Sequence, residues 1–201
     1  MKKELIQIFR TPSQNDYFNF LIRCYFGEGN DLLRMSVERA YLDLNRTLHG
    51  FATHRTADRI RENAHALVIQ NICCLKNIKL SQRSYDNWHA KACDDLRTSF
   101  WKGGFRKFTY GQAQKWLNMS MKYIFVMGKD RLPGYQNCYP FAHIPIDNIF
   151  MDAIRPYRKI RLPCAWSRID DYEVYLKLQK EFRELFSNSI PLDAEFKLWI
   201  A

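Results

Sequence analysis

Gly111-Gln112-Ala113-Gln114-Lys115-Trp116-Leu117-Asn118-Met119-Ser120-Met121-Lys122-Tyr123 is a helix-forming stretch with two lysines set among apolar residues. Lys115 and Lys122 are seven residues apart. That interval puts them two turns apart on one helix face, about 10 Å along the axis. Met119 lies between them. Burial disfavours the charged form of a lysine and lowers its pKa, which turns an inert ammonium into a nucleophilic amine. The alternative is a pair of lysines snorkelling at the edge of a core helix. Spacing alone leaves both readings open.

Working outward, Thr109 opens this helix and about Met127 closes it. Gly128-Lys129-Asp130-Arg131-Leu132-Pro133-Gly134 is turn chemistry, followed by a loop to Pro145. Upstream, Leu33, Val37, Ala40, Tyr41, Leu44 and Leu48 share one stripe and predict an amphipathic helix over 31–49. A second spans 56–76. A third is capped by Ser84, turns Tyr85, Trp88, Ala92 and Leu96 inward, and ends at the paired glycines Gly103-Gly104. Downstream, a short helix from Asp147 offers Ile149, Phe150, Ala153 and Ile154 for packing. A helix over 169–186 follows, and Pro191 precedes a last one ending at Trp199. No alternating strand pattern, internal repeat or low-complexity linker is visible, so the expected class is all-α.

The second informative stretch is His143-Ile144-Pro145-Ile146-Asp147-Asn148-Ile149. Pro145 enforces an extended approach. Asp147 then falls at an N-cap, where a carboxylate accepts backbone N–H bonds and faces the positive helix end. By itself this is equally a plain cap.

Composition narrows the partners. The 201 residues, 47% of them hydrophobic, suffice for one domain with a real core. Net charge is +10, which favours polyanions because Lys and Arg at phosphates release condensed counterions. The six cysteines form no CxxC pair, zinc-finger spacing or iron–sulfur pattern, so no metal or cofactor is expected. The apolar run Leu5 to Phe9 is too short for a signal peptide or membrane span. Free, mostly buried thiols in a reducing, cytoplasmic setting are the expectation.

A lysine-bearing helix, a turn containing Leu-Pro-Gly, and Pro-x-Asp at a helix start together resemble the helix-hairpin-helix DNA glycosylases, most of all the archaeal 8-oxoguanine DNA glycosylases. In that family a lysine pair at the same interval precedes a Pro-Val/Ile-Asp element. The tail Pro191-Leu192-Asp193-Ala194-Glu195-Phe196-Lys197-Leu198-Trp199 resembles, without a gap, the family's terminal Pro-Leu-His-x-Asp-x-x-Leu-Trp motif. Here Asp193 replaces the His, and Glu195 replaces the Asp. Trp88, within Ser84-Tyr85-Asp86-Asn87-Trp88, resembles the family's Tyr-Trp element. The likeness covers about 80–201.

The resemblance implies one two-lobed helical domain over 1–201, with the hairpin and catalytic region at about 109–155 and the active site in the cleft between lobes. It implies base flipping, then attack of Lys115 on the sugar with Asp147 assisting. Glu195, Trp199, Met119 and Trp88 would form the base pocket. Lys122, Lys129, Arg131 and the backbone at Gly134 would hold DNA, and Arg155, Arg158, Lys159 and Arg161 would track its phosphates. The implied partner is double-stranded DNA carrying a modified base, 8-oxoguanine foremost, met by a monomer at the nucleoid. Excision of a different modified base, and DNA binding without catalysis, are the competing readings.

Overall fold

The computed structural model describes residues 11–157, 159, 161–162 and 164–200. The stretch Leu5 to Phe9 and Arg158 lie outside the described residues. Among them every regular element is helical, as expected, and no helix is long and apolar enough to cross a membrane. The chain divides into two compact units, Met1–Asp31 and Leu32–Ala201.

Among the described residues the first unit holds one helix, α1 (Gln14–Phe26). Ser13 and Asp16 form a reciprocal capping box at its start, and Gly27 closes it at φ 90°. The sequence reading placed no element here; the Ser13-x-x-Asp16 spacing was the available signal.

The second unit runs α2 (Leu32–Leu44), α3 (Ala57–Cys74), α4 (Gln82–Lys102), α5 (Tyr110–Met127), α6 (Asn148–Ala153), α7 (Tyr172–Leu185) and α8 (Pro191–Ile200). Short 3₁₀ turns follow α2 and α3, and two more span Gln136–Phe141 and Trp166–Arg168. Helix α4 starts earlier than expected. Ser81, not Ser84, is its N-cap, and Ser84 is the return partner of the capping box. Two serines three apart can each cap, and the one whose partner answers it sets the boundary. The expected loop before Pro145 contains the 3₁₀ turn at 136–141, which tolerates Pro140. The thiols are less buried than expected: Cys24, Cys73 and Cys74 are exposed, Cys164 is half-buried, and only Cys93 and Cys138 are buried. Ile149 points outward, leaving Phe150, Met151 and Ile154 to pack.

Helix α5 is the centre of this unit. Every residue from Gly111 to Ile124 is buried, which the lysines do not prevent because each has a carboxylate partner. On one side Trp116 donates its indole N–H to the Val37 carbonyl at 3.0 Å and packs against Tyr41 and His65. Beyond it Phe100 stacks on Phe108, ring centres 3.8 Å apart. The other side faces the segment leading to α6. That segment shares a core of Ile144, Ile146, Phe150, Met151, Trp166, Ile169, Tyr175, Leu178 and Phe182 with α7.

The start of α5 is fixed with equal care. Thr109 and Gln112 form a capping box, and the Thr109 hydroxyl also donates to Ser167 O at 2.8 Å. Gly111 N–H donates to Ile169 O at 2.9 Å. A Cβ at Gly111 would stand 1.9 Å from Trp166 O. Only glycine permits so close a backbone approach.

Candidate active site

Two elements bring Lys115 and Asp147 together. Lys115 lies on the second turn of α5, and Asp147 ends the extended stretch forced by Pro145. The Lys115 Nζ stands 2.6 Å from Asp147 Oδ2. Both side chains are nearly closed to solvent, at 3% and 8% exposure for the residues. Asp147 Oδ1 is engaged separately, accepting the Phe150 backbone N–H at 2.9 Å as the N-cap of α6. The carboxylate thus caps a helix and faces an amine at once.

Two turns along α5, Lys122 meets Glu195 of α8. Its Nζ lies 2.7 Å from Oε1, to which it donates, and 2.6 Å from Oε2, which is near the charge but has no hydrogen-bond partner. Lys122 is 7% exposed and Glu195 wholly buried. Burial is the largest influence on each. It holds Lys122 below the ordinary lysine range and Glu195 above the ordinary carboxylate range, although each partner pulls back. Lys115 and Asp147 act on both groups electrostatically. The four groups are therefore one buried, charge-balanced quartet. An ammonium and carboxylate taken from water lose several kcal/mol of solvation each, about what close pairing returns.

The remaining predicted residues fall unevenly around this quartet. Met119 is buried on α5 between the lysines. Trp199 is 44% exposed, and the Lys122 ammonium lies 5.2 Å from its ring and 4.6 Å from that of Phe196. Trp88 is committed elsewhere. Among the described residues its indole N–H goes to Asn71 O at 2.8 Å and its ring meets Tyr85 and His89. It also lines an open groove of about 870 Å³ between α3 and α4, far along the sequence from the base-pocket tail. Lys129 is exposed and Arg131 half-buried in the turn after α5. Gly134 takes φ 94°, and its N–H is held by the Gln136 side chain at 3.2 Å. Arg155 pairs with Asp152.

Several residues at the site carried no assignment in the sequence. Gln114 and Asn118 are buried polar residues one turn apart on α5, and both reach the 142–147 segment. His143 and Tyr175 are buried beside them. Tyr139 donates to Asp193 at 2.5 Å, and burial with that bond pushes its phenol well above its ordinary range, so it stays neutral. The signal was available in part: amides at i and i+4 on so apolar a helix must find partners when buried. Among the described residues no three His, Cys, Asp or Glu side chains converge as metal ligands would. Comparison with protein-family models, with curated proteins and with solved structures returns no match.

Proposed function

We propose that the chain is a DNA glycosylase with an associated lyase activity, built on a two-lobed helix-hairpin-helix fold and excising a flipped-out damaged or modified base. The reading rests on one observation above the others: an almost fully buried lysine amine 2.6 Å from a carboxylate that a helix N-terminus holds in place. The lysine interval, the Pro145-Ile146-Asp147 approach and the Pro191 to Trp199 tail support it from the sequence side.

In this mechanism Asp147 accepts a proton from the Lys115 ammonium as substrate enters. The freed amine attacks C1′ of the sugar, the C1′–N glycosidic bond breaks, and the base leaves with the proton that Asp147 had taken, which returns Asp147 to a carboxylate. The transition state carries positive charge on the sugar, which the Asp147 carboxylate stabilises. Loss of a further proton opens the ring and gives a Schiff base between Lys115 and C1′. β-Elimination of the 3′ phosphate then nicks the strand. Arg131, Lys129 and the turn at Gly134 bind backbone phosphates, and the enzyme acts as a monomer on duplex DNA at the nucleoid.

Oxidised guanine is the favoured base by resemblance. Glu195 supports a second reading, a differently modified base. Its Oε1 accepts a hydrogen bond from Lys122, its Oε2 has only the ion pair with the same ammonium, and Asp193 accepts from Tyr139. The acidic groups of α8 are thus spent inside the protein unless Lys122 lets go.

Borohydride trapping across duplexes that each carry one modified base tests the proposal. A covalent adduct is expected with at least one duplex, reduced on the order of 1,000-fold in Lys115→Gln. Trapping that survives in Lys115→Gln and vanishes in Lys122→Gln moves the nucleophile to Lys122. No adduct anywhere, with salt-dependent duplex binding retained, favours a DNA-binding protein without catalysis.

A further inference from the structure

A continuous polar chain runs through the core beside the reactive pair, and its chemistry fixes its direction. Asp86 accepts both guanidinium arms of Arg183, at 2.9 and 3.1 Å; against burial, which raises it, the hydrogen bonds from His143 and Arg183 hold its carboxyl well below the usual carboxylate range and keep it ionised. An ionised carboxylate only accepts. His143 Nε2, 2.8 Å away, must therefore carry a proton and donate it. Burial holds the His143 imidazole below its ordinary pKa, so the ring is neutral and its Nδ1 accepts. Tyr175 lies 2.8 Å from that nitrogen and is the donor. The Asn118 amide nitrogen donates to the Tyr175 oxygen at 2.9 Å. Asn118 Oδ1 in turn takes the Nε2 proton of His89 at 2.9 Å, which leaves His89 Nδ1 to accept from Tyr172 at 2.9 Å. Every link points the same way, from Tyr172 to Asp86.

The chain grips the segment that delivers Asp147. His143 is itself a link. Asn118 also reaches Ile144 O at 3.3 Å, and Gln179 holds both Ile144 N and Ile144 O, at 3.0 and 2.8 Å. Gln114 is bonded to Asn118 at 3.0 Å and clamps the next link but one: its Oε1 accepts from Ile146 N at 3.2 Å and its Nε2 donates to Ile146 O at 3.0 Å. Gln114 precedes Lys115, and Ile146 precedes Asp147. The residues on either side of the 2.6 Å approach are thus tied to each other by two hydrogen bonds.

We infer that Gln114 and His143 are positioning residues, and that the one-way chain from Tyr172 to Asp86 fixes the segment carrying Asp147 in register with Lys115 on α5. The inference rests on Lys115 and Asp147 being the reactive pair. A carboxylate displaced by about 1 Å loses on the order of 100-fold in rate, because proton transfer and charge stabilisation both depend on approach. Five directional bonds run from Tyr172 to Asp86, and two more tie Gln114 to Ile146; hydrogen bonds weaken steeply with distance and angle, so they set that register.

Two measurements test this. Nitrogen-15 spectra of the histidine-labelled free protein near neutral pH are expected to show His143 and His89 neutral, each protonated at Nε2. An imidazolium at His143, or a proton on its Nδ1, overturns the direction of the chain. Single-turnover borohydride trapping is then compared for wild type, Gln114→Leu and Tyr175→Phe, with rate expressed per bound complex. Both variants are expected to keep duplex affinity within about twofold and to lose about 10- to 100-fold in adduct rate. A merely structural role lowers the amount of folded, binding protein and leaves the rate per complex alone, and that result overturns the positioning role. A wild type that traps on no duplex overturns the reactive pair and the positioning role together, while the spectra still decide the direction of the chain.

Discussion

Glu195 has no exposed surface, and among the described residues its ion-pair partner is Lys122. Removing one member strands the other in a site that water cannot reach. Glu195→Ala is therefore expected to destabilise by about 3–5 kcal/mol, whereas the double variant Lys122→Met with Glu195→Leu recovers most of that loss. Chemical denaturation of the three proteins checks this, and a double variant no better than the single one refutes the charge-balance argument. Lys115 and Asp147 differ in that Asp147 has a second duty at the α6 cap. Its replacement by Asn keeps the cap acceptor and removes the charge, so under the proposed function borohydride trapping is expected to be lost while α6 stays capped.

At the scale of elements, the junction between α5 and the 165–169 turn is the tightest backbone approach at the site. Gly111→Ala places a methyl group within 1.9 Å of Trp166 O. The strain cannot be relieved by a rotamer, because the obstacle is backbone. A loss of at least about 3 kcal/mol is expected, read as a lowered denaturation midpoint; a midpoint within error of wild type contradicts the packing described.

Much of this level was legible in the sequence. Thr109 and Met127 bound α5, Asp147 opens α6, and Val37, Ala40, Tyr41 and Leu44 of the α2 stripe are buried as periodicity predicts, while Leu33 is half-buried and the helix ends at Leu44, short of the expected 49. The boundary of α4 was misread because Ser81 and Ser84 look alike until one sees which answers the other. The pairing of Lys122 with Glu195, 73 residues on, was not legible, since local patterns do not encode which distant carboxylate a lysine meets. Nor was the network through His89 and His143, whose members come from four separate segments. Trp88 shows the limit from the other side: its burial was predicted, while its indole turned toward α3.

For the molecule as a whole, two buried imidazoles and the half-buried one of His65 set the response to acid. Burial holds His65 down to about 4, His89 well below its ordinary value, and His143 below it. Between about pH 6.5 and those folded values, the unfolded chain binds protons that the folded chain refuses, so stability falls as pH falls. Asp86 adds to the loss only in stronger acid, once its ordinary carboxylate pKa is passed. Glu195 has the opposite sign, because its raised pKa favours the folded form in acid, but it is one group against three. Melting temperature at about pH 4.5 is expected to lie at least about 5 °C below that at about pH 7. Thermal scans at the two values decide it, and a flat profile would mean that the imidazoles are solvated.

The division of labour within the Asp147 carboxylate has a last consequence. One oxygen ends α6 and the other ends the reach of Lys115, so neither bond can be let go without turning the group that makes the other. Withdrawal of the carboxylate from the amine uncaps the helix, and fraying of the helix withdraws the carboxylate. The amine contact and the helix cap are accordingly coupled, and under the proposed function a substrate must either fit the closed pair or supply enough binding energy to open amine and helix together.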